Sequence, residues 1–560
     1  MCFIKEKKLK KEIEILSDFN VDNLHNLLSN EFSNKDYKLN KSNYGSFYEK
    51  SFRFIKSKNY KNTCIVWTQI EKISQSFNKL INYEKVNQRE LKQEIKDYIN
   101  ILKQISKKSK NLIVMSWTLP NNEKGRYLRD FTDDSGVTKN LSIINLQIAN
   151  ELKNFKNIYF LNSEFIIGQN NYDYNPKYWY VAKIPFSLKV FELASKEIVK
   201  IINSLNGKNI KLIILDLDNT LWGGILGDLG WQKISIGGIS ANGEAFQDFQ
   251  KKLKSLKNLG IQLAISSKNS EDVALEAIKK NKNMILKIKD FSSWRINWKD
   301  KASNVREIIS ELNFTNDSVL FIDDNISERD RVKKSIKGIN VPNWPTDPCM
   351  YKKTLSDLNC FDYGKQITKE DLNRTKYYQE NSKRVKIKEN FLSEDKWLKS
   401  LKTKVIFKKI DLSNITRVIQ LIHRTNQMNL TTRRLNQKDI EALKKNKNNF
   451  LFSCEVKDKF GDMGIVGFFN LEVKNKIGIV KDFLLSCRAF GRGIELAMIF
   501  KMSKILKTKK CSKLVLNYEK TKKNKPGLMF LQKNFKKQNK NIFSSKSIEK
   551  IKLPSYINIK

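Results

Sequence analysis

Short apolar runs alternate with longer amphipathic segments through the first part of the chain. The helical spacing of apolar residues in VNQRELKQEIKDYINILKQISKK predicts a long helix there. Strands that alternate with helices form a parallel sheet that is covered on both faces. We predict such a sheet from four buried strands, in the segments KEIEILSDFN, TCIVWTQI, NLIVMSW and KNIYFLNSE.

A second α/β pattern begins near Asn206. Its predicted helices are QDFQKKLKSLKNLG and KASNVREIISELN, and its predicted strands are KLIILDLDNT, IQLAISSKN and SVLFIDDN. All three strands have polar residues at their carboxyl ends, which is the edge where open parallel sheets bind ligands. The pattern therefore predicts a site where these strands end.

The remaining chain predicts a charged helical connector over 365–400 and a mixed α/β domain over 401–560. That domain combines the helices QKDIEALKK and GIELAMIFKMSKIL with strands in TKVIFKKI, FLFSCEV, GIVGFFNLEV, IGIVKDFLL and KLVLNYE. A chain of 560 residues is too long for a single core. We predict an α/β protein with two further domains, at 1–205 and 206–364, ahead of the connector.

The net charge of +46 raises the question of nucleic-acid binding. The lysines are spread along the whole chain without a basic-aromatic repeat or a nucleic-acid-reading motif, so we expect no nucleic-acid partner. A charge-driven nucleic-acid-binding module is the alternative from a different class, and it predicts tight, salt-sensitive binding. An acidic partner protein or a phosphorylated metabolite would still be attracted by such a surface.

Cysteine and histidine usage narrows the remaining classes. The seven cysteines are scattered without a C-x-x-C pair, which favours reduced thiols and a cytoplasmic location. No apolar run is long enough to span a bilayer, so we expect no membrane span. The only histidines are His25 and His423, which excludes a histidine-rich metal site.

Two carboxylates end the first strand of the second pattern, in the segment LIILDLDNTLWGG. A lone D-x-D pair would also suit a helix cap, but here further polar groups follow in order at strand and helix ends. We place Asp216 as the nucleophile on phosphorus, forming an aspartyl-phosphate, and Asp218 as general acid and base. Because clustered acids need a cation, we expect Mg²⁺ held by Asp216, the Asp218 carbonyl, Asp323 and Asp324.

Three further residues complete the predicted phosphoryl site. Lys301, at the start of a helix, would balance the charge of the nucleophile and of the transferring group, and we count it as catalytic. Thr220 and Ser267 offer hydroxyl groups for the phosphoryl oxygens. The ordered set favours phosphoryl transfer over a purely structural role for the acids.

These motifs resemble the haloacid dehalogenase superfamily, subfamily IIIC, and within it the FkbH-like family. The resemblance rests on LDLDNTLWGGILGDLG, AISSKN, WRINWKDKASNVREI and FIDDNISERDRV, and continues through RTNQMNLTTRR, DKFGDMGIVGF, LLSCRAFGRGIE and NYEKTKKNKPG. It implies a Mg²⁺-dependent enzyme that loads a glyceryl unit from 1,3-bisphosphoglycerate onto an acyl carrier protein with loss of phosphate. Family members serve polyketide, surface-polysaccharide or lipid pathways. Ile326 departs from the family pattern, which usually has Pro at that position.

The resemblance also implies an SGNH-hydrolase-like domain before this core. Ser17 and Asp18 in LSDFNVDNL match the opening strand and nucleophile loop of that family, and NPKYWYVAKIPFS its closing region. No histidine stands where a hydrolase base belongs, and His25 comes too early in the chain. We therefore expect this domain to be a non-catalytic scaffold or a binding domain.

The C-terminal domain looks similar to GNAT acyltransferases. Its segment RTNQMNLTTRR offers groups suited to phosphate or pantetheine contacts, although an exposed polar helix start is the alternative: Asn426, Gln427, Asn429, Thr431, Thr432, Arg433 and Arg434. Cys487 lies between Ser486 and Arg488, and an adjacent arginine favours the thiolate of an acyl-accepting cysteine. A small buried core residue is the alternative role for Cys487. The GRG that follows offers backbone N–H groups to a phosphate or an oxyanion.

Two rival functions remain at this stage. One is a simple Mg²⁺-dependent phosphatase with an inert C-terminal domain. The other is an N- or O-acyltransferase acting on a sugar or an amine, with the phosphatase site secondary.

Overall fold

The computed structural model describes most of the chain, and its Cα atoms cluster into two compact units. The first unit comprises Met1–Ile202 with Asn436–Lys438, and the second comprises Asn203–Leu435 with Asp439–Lys560. The described residues are 11–32, 37–41, 43–57, 60–119, 128–155, 157–171, 174–206, 209–358, 360–361, 373–388, 391–486, 489–521, 524–539, 541–545 and 547–560. Within these ranges, no helix combines the length and the apolar character that crossing a bilayer requires.

The first unit is built on a parallel five-stranded sheet with the order β2-β1-β3-β4-β5. Its strands are β1 (Lys11–Ser17), β2 (Tyr37–Lys41), β3 (Lys61–Trp67), β4 (Ser109–Met115) and β5 (Ile158–Leu161). Its helices are Asp22–Glu31, Phe47–Lys56, Ile70–Ile73, Gln75–Ile81, Gln88–Lys107, Arg129–Thr132, Val137–Leu152, Glu164–Ile167, Lys177–Ala182 and Leu188–Leu205.

Successive residues of β3 point into different apolar cores, as the pleat of a strand requires. Cys64 and Val66 lie in one core, whereas Ile65 and Trp67 lie in the other. The sheet is therefore covered on both faces. The parallel sheet predicted from the alternating pattern is confirmed.

The second unit begins with a parallel four-stranded sheet of order β8-β7-β6-β9. Its strands are β6 (Leu212–Leu215), β7 (Gln262–Ser267), β8 (Phe291–Ile296) and β9 (Val319–Ile322). The helices here are Leu226–Leu229, Ala241–Asn258, Glu271–Lys280, Lys301–Glu311, Ile326–Ser335 and Tyr351–Asp357. The sequence pattern missed β8, because this edge strand has the sequence FSSWRI with few apolar residues.

An eight-stranded mixed sheet completes the second unit, with the order β15-β16-β14-β13-β12-β11-β10-β17. Its strands are β10 (Thr403–Lys409), β11 (Asn449–Asp458), β12 (Gly461–Lys474), β13 (Ile477–Leu485), β14 (Lys513–Asn517), β15 (Lys536–Lys537), β16 (Ile542–Ser544) and β17 (Ile557–Ile559). Its helices are Ile415–Arg424, Gln437–Lys445, Ile494–Thr508 and Lys525–Asn534. The last three strands were not predicted, because two or three residues are too few to show a pattern.

The parallel neighbours β13 and β14 separate part of the way along the sheet. Their register runs from Ile477 opposite Lys513 to Val480 opposite Leu516, and β13 continues to Leu485 without this partner. The opening between the two strands is where the chain turns into the GRG segment that precedes the helix Ile494–Thr508.

The connector forms the helices Arg374–Lys388 and Glu394–Ser400, and residues 365–372 lie outside the described residues. Arg384 is buried, and its guanidinium donates two hydrogen bonds to Asp458 of β11, at 2.6 and 2.7 Å. Gln379 of the same helix donates to the carbonyl of Phe291 in β8 at 2.8 Å. The connector helix therefore contacts both sheets of the second unit.

Candidate active site

The strand register places the predicted site residues at one edge of the four-stranded sheet. Leu215 at the end of β6 pairs with Ile265 of β7 and with Ile322 of β9. Asp216 follows Leu215, Ser267 ends β7, and Asp323 follows Ile322. All three therefore lie at the carboxyl edge of the sheet.

The loop after β6 is a tight turn held by its own backbone. Leu221 donates its N–H to the carbonyl of Leu217 at 2.7 Å. Asn219 adopts a left-handed conformation with φ of 51°, which asparagine tolerates better than most residues. Its side chain accepts the N–H of Gly224, and its carbonyl accepts the hydroxyl of Tyr351 at 2.9 Å. These bonds fix the direction in which the chain leaves Asp216.

Lys301 is the first residue of the helix Lys301–Glu311, which Asp300 caps by accepting the N–H of Ser303. Its ammonium group donates to Asp216 at 2.7 Å and to Asp323 at 2.6 Å. Burial opposes the charge of this ammonium group, but the two carboxylates outweigh that effect and raise the pKa of Lys301. The lysine is thus held as a cation between two acids.

Three carboxylates converge at this point. Single oxygen atoms of Asp216, Asp323 and Asp324 all lie within 4.8 Å of one another. Burial and the neighbouring Asp216 raise the pKa of Asp323, although Lys301 opposes the shift. A divalent cation among the three groups would remove this cost, because it stabilises their charged forms.

Two buried oxygen atoms at the site lack a hydrogen-bond partner. They are Oδ1 of Asp216 and Oγ1 of Thr220. Buried polar atoms are normally satisfied, so an unpaired carboxylate oxygen beside two further carboxylates is suited to a metal ligand. Oxygen donors of this kind are those that Mg²⁺ prefers, and the residues present therefore fit a magnesium ion.

Asp218 lies apart from this group and is held by donors on both of its oxygens. Oδ1 accepts hydrogen bonds from Trp222 Nε1 at 2.9 Å and from the N–H of Leu226 at 3.2 Å. Oδ2 accepts a hydrogen bond from Asn269 Nδ2 at 2.9 Å. Burial raises the pKa of Asp218 despite these bonds, which brings the carboxyl closer to the range of a general acid.

Sequence reasoning assigned no role to Trp222, Asn269 or Arg329. Asn269 lies in the loop after β7, within the segment AISSKN, but nothing in one sequence shows that this loop reaches Asp218. Arg329 donates from Nη1 to the carbonyls of Asp323 and Asp324, each at 2.7 Å. It thereby positions the loop that presents both acids.

The predicted ligand-binding residues of the C-terminal part lie on other elements. Arg433 forms a bidentate ion pair with Asp482 of β13, at 2.8 and 2.7 Å, and Asn470 donates to the same carboxylate. Arg434 donates to the side chain of Asn426. Arg433 is thus engaged with an internal carboxylate, whereas Asn426 and Arg434 have neutral oxygens as partners of the guanidinium.

Cys487 and Arg488 lie outside the described residues, so their predicted roles remain predictions. In the neighbouring GRG segment, the N–H of Gly491 donates to the carboxylate of Glu495 at 3.1 Å. Gly493 has a φ of 76° and begins the helix Ile494–Thr508. At least one N–H of this segment is therefore engaged within the protein.

In the first unit, Ser17 is buried, and its Oγ accepts the N–H of Phe19 at 3.2 Å. His25 lies on the helix Asp22–Glu31, where its ring contacts the side chain of Asn26. Asp18 accepts the N–H of Gln69 at 3.0 Å, and burial raises its pKa to about 7. No described contact joins Ser17 to a histidine, in line with the expected non-catalytic role.

The raised pKa of Asp18 predicts a pH-dependent stability. The folded state holds a proton that the unfolded state releases near pH 4, so stability falls as pH rises from about 4 to about 7. We expect Asp18→Asn to stabilise the protein by about 2 kcal/mol at pH 8 and to have little effect at pH 4.5. Urea unfolding at both pH values measures this difference. The exposed control Asp97→Asn should show no such difference, and an equal effect of Asp18→Asn at both pH values would contradict the prediction.

Comparison with protein-family models finds no match for the chain, and comparison with curated proteins finds none either. Among solved structures, the chain is similar to the N-terminal part of a Bacteroides fragilis protein that contains a phosphatase domain and is complexed with Mg. The identity is 28%, the match covers 63% of this chain and 94% of the other, and the TM-score is 0.55.

Two acetyltransferase structures match about a quarter of the chain. The PaiA N-acetyltransferase of Thermoplasma acidophilum, in complex with coenzyme A, has 15% identity and a TM-score of 0.20, over 25% of this chain and 98% of its own. A GNAT-family acetyltransferase of Staphylococcus aureus has 12% identity and a TM-score of 0.21, over 26% and 99%.

Taken with the three sheets, the likeness to the phosphatase domain confirms the predicted α/β fold class. The expectation of an enzyme with Mg²⁺ as its cofactor is borne out by the same likeness.

Proposed function

We propose that the chain is a Mg²⁺-dependent phosphatase whose nucleophile is Asp216. The observation that carries this proposal is the cluster at the carboxyl edge of the four-stranded sheet. There Lys301 joins Asp216 to Asp323, and Asp324 completes a set of three carboxylates. Asp216, Asp323 and Asp324 would hold the magnesium ion, which supplies positive charge to the phosphoryl group during transfer.

The residues of the chain account for both halves of the reaction. A carboxylate oxygen of Asp216 attacks phosphorus, and the bond from phosphorus to the leaving oxygen breaks. Asp218 gives its proton to that oxygen and then takes one from water, which attacks the aspartyl-phosphate and releases inorganic phosphate. Lys301 keeps the nucleophile ionised and in place.

Asp218 has the right environment for this double role. Burial raises its pKa, and the hydrogen bonds from Trp222 and Asn269 orient the carboxyl group. Thr220 contributes a buried hydroxyl without a described partner, which supports a role in binding a phosphoryl oxygen.

We further propose the more specific function that the FkbH-like resemblance implies. In it, the phosphopantetheine thiol of an acyl carrier protein attacks the carbonyl carbon of 1,3-bisphosphoglycerate. A sulfur–carbon bond forms, and the acyl–phosphate bond breaks with loss of phosphate. The Asp216 site then hydrolyses the remaining phosphate ester. The separation of β13 and β14 supports an acyl-transfer site in the mixed sheet.

The cellular setting belongs to the same proposal. Five cysteines among the described residues are free thiols, which supports a reducing, cytoplasmic location: Cys64, Cys349, Cys360, Cys454 and Cys511. The acyl carrier protein is the proposed partner, and its acidic surface would complement a chain of net charge +46.

The full chain is tested with 1,3-bisphosphoglycerate and a holo-acyl carrier protein, with Mg²⁺ or with EDTA. We expect phosphate release and a glyceryl thioester on the carrier, detected by mass spectrometry, and we expect EDTA to abolish the release that depends on Asp216. Carrier protein without phosphopantetheine is the matched control and should remain unmodified.

The outcomes separate the rival functions. Phosphate release without a carrier adduct would leave the simple phosphatase. Transfer of an acyl group to a sugar or an amine that survives Asp216→Asn would favour the N- or O-acyltransferase. An absence of any Mg²⁺-dependent phosphate release would contradict the phosphatase itself.

A further inference from the structure

A cleft lies between the four-stranded and the eight-stranded sheet of the second unit. It has about 660 Å³ of empty space, which includes its open mouth. Lys211 and Ser318 line it from the four-stranded sheet. Arg417 and Arg424 line it from the helix Ile415–Arg424, and Gln427 from the segment that follows. We call this space the cationic cleft.

The cationic cleft is distinct from the carboxylate site. Lys211 precedes β6, and Ser318 precedes β9, so both mark the amino edge of the four-stranded sheet. Asp216 lies beyond the other end of β6. Five residue steps at roughly 3.3 Å each separate Lys211 from Asp216 by about 16 Å. A small ligand in the cleft would therefore not reach the carboxylates.

The charge of the cationic cleft is one-sided. The described residues that line it include three cations and no carboxylate. Arg417 and Arg424 are seven residues apart on one helix, which places them on the same face, with Leu421 of the cleft between them. The ammonium group of Lys211 donates to the carbonyl of Arg424 at 2.6 Å and so ties this helix to the sheet edge.

A further arginine lies directly behind the wall of the cleft. Arg434 donates to the carbonyls of Ile422 and Thr425 and to the side chain of Asn426, and both Thr425 and Asn426 line the cleft. All of these partners are neutral oxygens. Burial lowers the pKa of Arg434 to about 10, which shows that its charge is desolvated without a compensating carboxylate.

We propose that the cationic cleft binds the phosphate group of a small phosphorylated ligand. Arginine side chains recognise phosphate through paired N–H groups, and a cleft with several cations and no acid attracts anions. Phe314 and Tyr378, with ring centroids 5.3 Å apart, supply an aromatic wall for the body of the ligand. This site goes beyond the proposed phosphatase and does not depend on it.

The test is isothermal titration of the full chain with pyrophosphate, in EDTA and at fixed salt. We expect saturable binding by the unaltered chain and at least tenfold weaker binding by Arg424→Gln. The bond from Lys211 uses the backbone carbonyl of Arg424, so this substitution leaves it in place. Gln427→Glu keeps the shape of the side chain but adds a negative charge, and it should weaken binding by a similar factor.

Arg89→Gln is the matched control, because Arg89 is exposed in the first unit and loses the same charge. It should bind pyrophosphate within twofold of the unaltered chain. The proposal is overturned if the unaltered chain does not bind, or if Arg424→Gln and Gln427→Glu bind as tightly as the control. Unchanged thermal unfolding without ligand verifies that each variant is folded.

Discussion

Asp216→Asn should lower the rate of phosphate release by at least about 10³-fold, because an amide oxygen is a far weaker nucleophile than a carboxylate. The substitution preserves the size of the side chain, so the fold should persist. It also removes one of the three charges that would hold Mg²⁺. The measurement is steady-state release of phosphate from p-nitrophenyl phosphate at saturating Mg²⁺.

Asp228→Asn is the control for this experiment. Asp228 lies in the same segment, on the short helix Leu226–Leu229, and is exposed. Its substitution should leave the rate within twofold. If Asp216→Asn retained more than a tenth of the activity, Asp216 would not be the nucleophile, and another group at this edge would have to attack phosphorus.

Lys301→Met should destabilise the second unit by about 3 kcal/mol in EDTA, because it leaves Asp216 and Asp323 buried without their shared cation. Mg²⁺ should restore much of this loss, since a divalent cation among the carboxylates replaces the missing positive charge. The measurement is urea unfolding followed by tryptophan fluorescence, with and without Mg²⁺. The rate of phosphate release should also fall by about 10²-fold.

The pH dependence of this variant follows from the same charges. Without Lys301, the two carboxyls have raised pKa values and hold protons in the folded state that the unfolded state releases. Stability is therefore lost as pH rises, and the defect should be larger at pH 8 than at pH 5. Lys299→Met, an exposed change two residues away, is the matched control. A Lys301→Met protein as stable as this control in EDTA would refute the bridging role.

Much of the fold was predictable because the information is local. Apolar runs bounded by polar residues identified β1, β3, β4 and β5 and the three strands that end in site residues. Strand β8 escaped because half of its residues are polar, as its position at the sheet edge permits. The connector was predicted only as a charged helix, and the buried pair of Arg384 with Asp458 gives it a packed role that charge alone does not reveal.

The candidate site divides in the same way. The acids and Lys301 were identified from their order along the chain. The hydrogen bonds from Asn269 and Trp222 to Asp218 could not be, because they depend on how one loop folds over another. The pairing of Arg433 with Asp482 likewise needed the register of β13, which places a buried carboxylate beside a residue predicted to contact phosphate.

The sequence by itself determined the type of each element and which polar residues end the strands, because side-chain periodicity and strand ends are properties of neighbouring residues. Only the tertiary structure decided which of these ends meet. Lys301 reaches Asp216 across 85 positions of the chain because β6 lies between β7 and β9. The cationic cleft also arises only when two sheets pack, since its cations come from segments some 200 residues apart.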